Sequence, residues 1–131
     1  MNKGSVLIID DEEIVRISCH RILVPEGYEV RSTESAAEGF ALLEKEPSDI
    51  VLTDFKMPDI DGIEVLKRIK AQWPDIEVIM ITGYQTISTS ANTAAEAIRS
   101  LGAFDYIEKP FVPDAIVEVI GKAMTYKKGN K

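Results

Sequence analysis

Val6-Leu7-Ile8-Ile9-Asp10-Asp11-Glu12 is the stretch on which the fold turns, four apolar residues in a row followed at once by acids. A strand covered by helices on both faces carries such an unbroken run, because neither face meets water. Ile50-Val51-Leu52 and Val78-Ile79-Met80-Ile81 have the same character. Tyr28-Glu29-Val30-Arg31 and Phe104-Asp105-Tyr106-Ile107 instead alternate apolar with polar, as less buried edge strands do. The predicted strands are therefore Val6 to Ile9, Tyr28 to Arg31, Ile50 to Thr53, Val78 to Ile81 and Phe104 to Ile107. Edges at the second and fifth positions match the sheet order 2-1-3-4-5, one of the common doubly wound arrangements.

Between the strands, apolar residues recur at helical spacing. Ile14, Ile17 and Ile22, then Ala36, Phe40 and Leu43, then Ile63, Leu66 and Ile69, and finally Ile116, Ile120 and Ala123 read as core stripes. Ile87, Ala91, Ala94, Ile98 and Leu101 form a further stripe that ends at Gly102, a predicted helix C-cap. Strand and helix alternating in this way predict an α/β protein, a flavodoxin-like doubly wound (βα)5 three-layer sandwich with a five-stranded parallel sheet. Its 131 residues suit one domain, placed at residues 1–126. The polar end, residues 127–131, reads as a free tail or the start of a linker.

Composition narrows the function classes. The content of 45% hydrophobic and 28% charged residues is that of an ordinary globular domain. A net charge of -7 argues against a nucleic-acid surface, which needs a basic face, so any DNA output is expected on another domain or partner. The run Val6 to Ile9 is too short for a signal peptide or a membrane span, and a cytoplasmic protein without membrane contact is expected. The single cysteine, Cys19, excludes an internal disulfide and reads as a small buried or half-buried helix residue. His20, the only histidine, reads as a surface residue of the same helix.

In open α/β sheets, ligands bind beyond the carboxyl ends of the strands, where the strand order reverses. Here that point lies between the first strand, followed by Asp10-Asp11, and the third, followed by Thr53-Asp54. Two carboxylates ~4 Å apart repel by ~4 kcal/mol at an effective dielectric near 20, so three of them call for a cation in the gap. Oxygen ligands of this kind suit Mg²⁺, or Mn²⁺, rather than zinc. The fourth strand is followed by Thr82-Gly83 and the fifth by Glu108-Lys109-Pro110. Carboxylates, cation, hydroxyl and ammonium around one point form a cradle for a phosphoryl group, with Asp54 as a nucleophile able to form an acyl phosphate. Glu12 and Glu13 read more simply as acids favoured in the first turn of a helix, a reading also weighed for Asp11. Asp59 and Asp61 read as a solvated loop and turn.

Taken together, Val6-Leu7-Ile8-Ile9-Asp10-Asp11-Glu12, Leu52-Thr53-Asp54-Phe55-Lys56-Met57-Pro58-Asp59-Ile60-Asp61-Gly62, Ile81-Thr82-Gly83-Tyr84 and Tyr106-Ile107-Glu108-Lys109-Pro110-Phe111 closely resemble the receiver domain of bacterial response regulators. The resemblance covers nearly the whole chain. It implies that Asp54 is phosphorylated, that Asp10 and Asp11 hold the magnesium with Asp54, and that the backbone carbonyl of Lys56 completes the protein ligands. It further implies that Thr82 contacts the phosphoryl oxygen, that Lys109 pairs with it, that the Lys109-Pro110 bond is cis and that Tyr106 is the switch aromatic. A sensor histidine kinase or phosphotransfer protein would be the donor, and an output domain or protein the recipient of the signal, with a phosphorylation-dependent homodimer among the family's arrangements. Phosphorylation would switch the surface of the fourth and fifth βα units, and slow autodephosphorylation would make the domain a signalling switch more than a turnover enzyme. Lys56 and Tyr84 are expected to tune its lifetime. Thr82 to Lys109 is about five residues longer than the family's usual interval, equivalent to about one and a half helical turns.

Three other classes compete for the same residues. A haloacid-dehalogenase-like phosphatase would use Asp10 as nucleophile, but needs Asp where this chain has Glu12 and an acidic metal pair where it has Pro110-Phe111. A flavin-mononucleotide carrier would need a hydroxyl- and glycine-rich phosphate loop, whereas Asp10-Asp11-Glu12-Glu13 repels phosphate. A receiver-shaped module that is never phosphorylated would not need the full set Asp10, Asp11, Asp54, Thr82 and Lys109.

Overall fold

A computed structural model describes residues 3–55, 59–82, 99–109 and 111–129. Within them, strands β1 (Ser5–Ile9), β2 (Glu29–Thr33), β3 (Ile50–Asp54), β4 (Glu77–Thr82) and β5 (Asp105–Glu108) form one parallel sheet in the order β2-β1-β3-β4-β5. Helices α1 (Glu13–Leu23), α2 (Ala36–Lys45) and α3 (Gly62–Gln72), with a C-terminal helix (Pro113–Gly129), cover it. Class and strand order are those read from the sequence. The stripe residues Ile87, Ala91, Ala94 and Ile98 and the lengthened interval after Thr82 fall outside the described residues.

Successive strand side chains point to opposite faces, so each apolar run divides between two cores. Val6 and Ile8 of β1 join Val15, Cys19, Ile116 and Ile120 beneath α1 and the C-terminal helix. Leu7 and Ile9 join Leu43, Leu66 and Ile69 beneath α2 and α3. The edge strands are the more open ones, as their alternating patterns require. β2 nevertheless begins after Tyr28 and runs two residues beyond Arg31. Its length follows the ladder to β1, from Ser5 opposite Glu29 to Ile9 opposite Thr33, while the Tyr28 amide donates to Leu23 in the preceding turn.

One predicted stripe is corrected. Ile14 is 66% exposed and Ile17 38%, and the buried face of α1 is Val15, Cys19 and Leu23. Both sets have helical spacing, and the face that packs is the one whose Val15, Cys19 and Leu23 meet Val6, Ile8, Ile116 and Ile120 in the core, while Arg16 Nη1 donates to the Asp10 carbonyl at 2.7 Å. Cys19 is buried, and burial, aided by the negative charge of Asp10, pushes its thiol up to about 12, the mark of an inert core cysteine. His20 is half-buried, its Nε2 3.0 Å from the Ser32 hydroxyl of β2.

Capping explains the other boundaries. Ser35 accepts from the Glu38 amide to start α2, and Asp61, read as a solvated turn residue, accepts from the Ile63 amide at 2.9 Å to start α3. Asp59 lies near α2, its Oδ2 accepting from the Ala37 amide at 3.3 Å. Gly102 adopts φ +108° and its amide reaches the Arg99 carbonyl at 3.0 Å, the predicted C-cap. The C-terminal helix continues through Gly129, past the apolar pattern, with Tyr126 against the Phe104 ring (5.6 Å) and Lys127 donating to the Asp75 carbonyl.

Gly62 ties this frame to the end of β3. Its amide donates to Phe55 O at 2.8 Å, and a Cβ there would stand 2.5 Å from that oxygen and 2.6 Å from Asp54 O. Backbone cannot yield as a side-chain tip can, so Gly62→Ala is expected to lower stability by about 1–3 kcal/mol, the range for overpacking. Urea unfolding measures this, and an unchanged midpoint would refute the close approach.

Candidate functional site

Parallel register sets the height of the strand ends. Ile9 pairs with Thr53, Asp54 with Ile81, and Thr82 with Glu108, so Asp10, Asp54, Thr82 and Lys109 emerge side by side at one edge of the sheet. Asp10 is fully buried and Asp54 is 7% exposed. Asp10 Oδ1 accepts the Glu12 amide at 2.8 Å, while Asp10 Oδ2 has no hydrogen-bond donor. The ammonium of Lys109 stands 3.2 Å from that oxygen as an ion contact, without hydrogen-bond alignment.

Lys109 is the centre of the cluster. Its Nζ lies 2.5 Å from Glu12 Oε1, 3.2 Å from Asp10 Oδ2 and 3.4 Å from Asp54 Oδ2. Burial alone would lower the Lys109 pKa, but the Glu12 hydrogen bond and the charges of Asp10 and Asp54 outweigh it and raise it above the ordinary lysine value. For Asp10, burial dominates and raises the carboxyl above its usual range, against the lowering effects of the Glu12 amide and Lys109. One ammonium thus faces three carboxylates.

Carboxylate oxygens of Asp10, Glu12 and Asp54 all lie within 4.8 Å of one another, a group able to hold a metal ion. The donor set fits a hard divalent cation, since all three offer oxygen and Asp10 Oδ2 is buried without a hydrogen bond. Glu12, read from the sequence as a first-turn acid, is therefore part of the cluster. Its signal was its place two residues after Asp10, on the turn that Asp10 caps. Asp11 is exposed and lies outside the cluster formed by the described residues.

The remaining predicted residues are spread around this centre. Thr82 is fully buried, and its hydroxyl donates to the Ile107 carbonyl across the β4–β5 pair at 3.4 Å. The Lys109 amide returns a bond to Thr82 O at 2.7 Å. Tyr106 is half-buried on β5 opposite Met80, packed against the α2–α3 core. The Arg99 guanidinium lies 5.6 Å from the centre of its ring and binds Asp105 Oδ1 at 2.9 Å. Lys56, Met57, Pro58, Gly83, Tyr84 and Pro110, including the Lys56 carbonyl and the Lys109-Pro110 bond, lie outside the described residues.

With this geometry in hand, comparison with known proteins is decisive. Residues 6–121 match the model of the response regulator receiver domain. The chain belongs to that family. It is 35% identical over its full length to the DNA-binding transcriptional regulator NtrC of Proteus hauseri, of which it covers 27%. It is 36% identical over 94% of its length to a putative NtrX-like response regulator of Rickettsia felis, covering 25% of that protein. A CheY-like receiver domain protein of Methanospirillum hungatei superposes with a TM-score of 0.86 at 33% identity, covering 97% of this chain and 98% of that one. NtrX of Brucella abortus superposes at 0.88 with 32% identity over 99% of this chain and 28% of that one. The chain thus spans about a quarter of the length of the curated relatives it matches. Membership makes it a domain of two-component signalling switches and sets aside the phosphatase and flavin-carrier readings. Among the described residues, no helix is long and apolar enough to cross a membrane.

The buried charge of Asp10 has a consequence for stability. A carboxyl whose range is raised by folding favours the fold below its unfolded range, and that contribution is lost as pH climbs through the folded value. Asp10→Asn keeps the Oδ1 acceptor for Glu12 and removes the charge. In the absence of divalent cations it is expected to raise the urea midpoint by an amount equivalent to about 1 kcal/mol. Added Mg²⁺ is expected to stabilise the wild-type protein by mass action and the variant less. A lower midpoint in EDTA would show that the charge is well satisfied by Lys109 alone.

Proposed function

We propose that this receiver domain accepts a phosphoryl group on Asp54 and thereby switches the surface of its fourth and fifth βα units. The observation that carries the reading is the ammonium of Lys109, set 3.4 Å from Asp54 Oδ2 in a buried acidic cluster. Asp10, Asp11 and Asp54, with the Lys56 carbonyl, are the proposed ligands of Mg²⁺, for which Mn²⁺ can substitute, and Glu12 lies in the same cluster. When bound, the ion neutralises the acids and the phosphoryl oxygens that they would otherwise repel.

In the transfer step an Asp54 carboxylate oxygen attacks phosphorus in line. The P–N bond of a phosphohistidine on the kinase breaks, or the P–O bond of a small acyl phosphate, and an acyl phosphate forms on Asp54. Lys109 holds a phosphoryl oxygen, and the Thr82 hydroxyl exchanges the Ile107 carbonyl for another. That exchange disturbs β5 beside Tyr106, which turns inward as the switch aromatic. Slow attack of water on phosphorus later returns the carboxylate and releases phosphate.

The proposed donor is a sensor histidine kinase or phosphotransfer protein. A groove beside the site, lined by Ile14, Val15, Ser18 and Phe111 next to Lys109, offers apolar surface for its docking. An output domain or protein, or a homodimer formed on phosphorylation, would receive the signal in the cytoplasm. With a net charge of -7, nucleic-acid contact is assigned to another segment or partner.

Intact-mass spectrometry after exposure to acetyl phosphate and Mg²⁺ is expected to show one added phosphoryl group mapping to Asp54, absent in Asp54→Asn and without divalent cation. Persistent labelling elsewhere would defeat the assignment, and a wild-type chain that takes no label would leave the reading of a receiver-shaped module that is never phosphorylated. Lys109→Ala is expected to leave Mg²⁺ binding within about twofold while uncoupling phosphorylation from the rearrangement near Tyr106, followed by amide hydrogen exchange. Normal exchange changes in phosphorylated Lys109→Ala would remove the lysine from the switch.

A further inference from the structure

Glu12 occupies the N-cap position of α1, yet its side chain makes no capping hydrogen bond to that helix. It turns instead to Lys109, and at 2.5 Å this is the shortest of the three contacts of the ammonium. Both backbones are fixed. The Glu12 amide is held by Asp10 Oδ1 at 2.8 Å, and the Lys109 amide by Thr82 O at 2.7 Å. What remains free is how the ammonium divides itself among carboxylates. Glu12 is at the mouth of the site, its side chain 53% exposed, whereas those of Asp54 and Asp10 are 10% and 0% exposed.

We propose that Glu12 is a positioning residue for Lys109, holding the ammonium toward the rim of the site until phosphorylation of Asp54 draws it inward. The inference rests on the phosphoacceptor reading and adds to it a residue that competes with the phosphoryl group for the same cation. A phosphoryl group brings close to two negative charges and three strong acceptor oxygens, against the single charge of a carboxylate. The ammonium therefore moves toward it, and Glu12, facing a dianion with its own charge, swings into solvent. Because Glu12 is half exposed, water screens its pair with Lys109, which makes the hold worth a factor of about two to five and readily broken. Glu12 sets how much of the lysine is available at the moment of transfer.

Glu12→Gln keeps the length and the backbone bond to Asp10 and removes the competing charge. Two rates are measured on the full chain: phosphorylation of Asp54 by acetyl phosphate in saturating Mg²⁺, and acylation of Lys109 by an N-hydroxysuccinimide ester without donor, each mapped by peptide mass spectrometry. Both are expected to rise about two- to fivefold, with Mg²⁺ affinity measured beside them so that saturation holds for the variant too. Unchanged acylation of Lys109 would show that Glu12 does not hold the lysine, and unchanged phosphorylation that the hold does not matter to transfer. Slower phosphorylation together with weaker Mg²⁺ binding would give the carboxylate to the ion instead. Failure of the wild-type chain to be phosphorylated would overturn the proposed function itself, a result distinct from all of these.

Discussion

A single ammonium set among three carboxylates is the interaction around which this molecule is organised. Asp10 and Asp54 hold their carboxylates buried at the edge of an apolar sheet, where water screens them poorly, and Glu12 joins them from the exposed rim. Lys109 offsets part of that charge, and its raised pKa records the attraction. Among the described residues, one positive charge stands against three negative ones. The remainder makes the site receptive to a divalent cation, and the buried Asp10 Oδ2, without a hydrogen bond, marks where the need is greatest.

Such a cluster exists because parallel pairing brings the carboxyl ends of β1, β3, β4 and β5 to one level. The same strands split their apolar residues between two cores, so neither face can shift without opening a packed layer. Local ties then fasten the site to the frame. Arg16 holds the Asp10 carbonyl, Gly62 lets α3 approach the backbone of Asp54 and Phe55, and the amide of Lys109 joins β5 to the end of β4. Rigid backbone with movable side-chain ends is what a switch of this kind requires.

β5 connects the site to the outer surface. Thr82 donates to Ile107, next to Tyr106, and Tyr106 in turn lies under Arg99, which is held by Asp105. A change in the bonding of Thr82 therefore reaches an aromatic ring and an exposed ion pair within a few residues.

Much of this was legible in the residues alone. Short unbroken apolar runs alternating with helical stripes read as strands buried on both sides, and the alternating runs as half-covered edges, so class and strand order followed from the hydrophobic pattern. Acids, threonine and lysine directly after those runs marked Asp10, Asp54, Thr82 and Lys109 as neighbours, since strand ends in a parallel sheet share one edge. Local pattern could not choose between Ile14–Ile17 and Val15–Cys19 as the inward face of α1, because both have helical spacing. Packing against β1 and the C-terminal helix made that choice. Nor could it separate Glu12 from Glu13 or Asp11, acids of equal propensity in a helix entrance. Which one meets Lys109 depends on the direction in which the turn after β1 sends each side chain, and on a lysine 97 residues away, a relation that exists only once β5 lies in place.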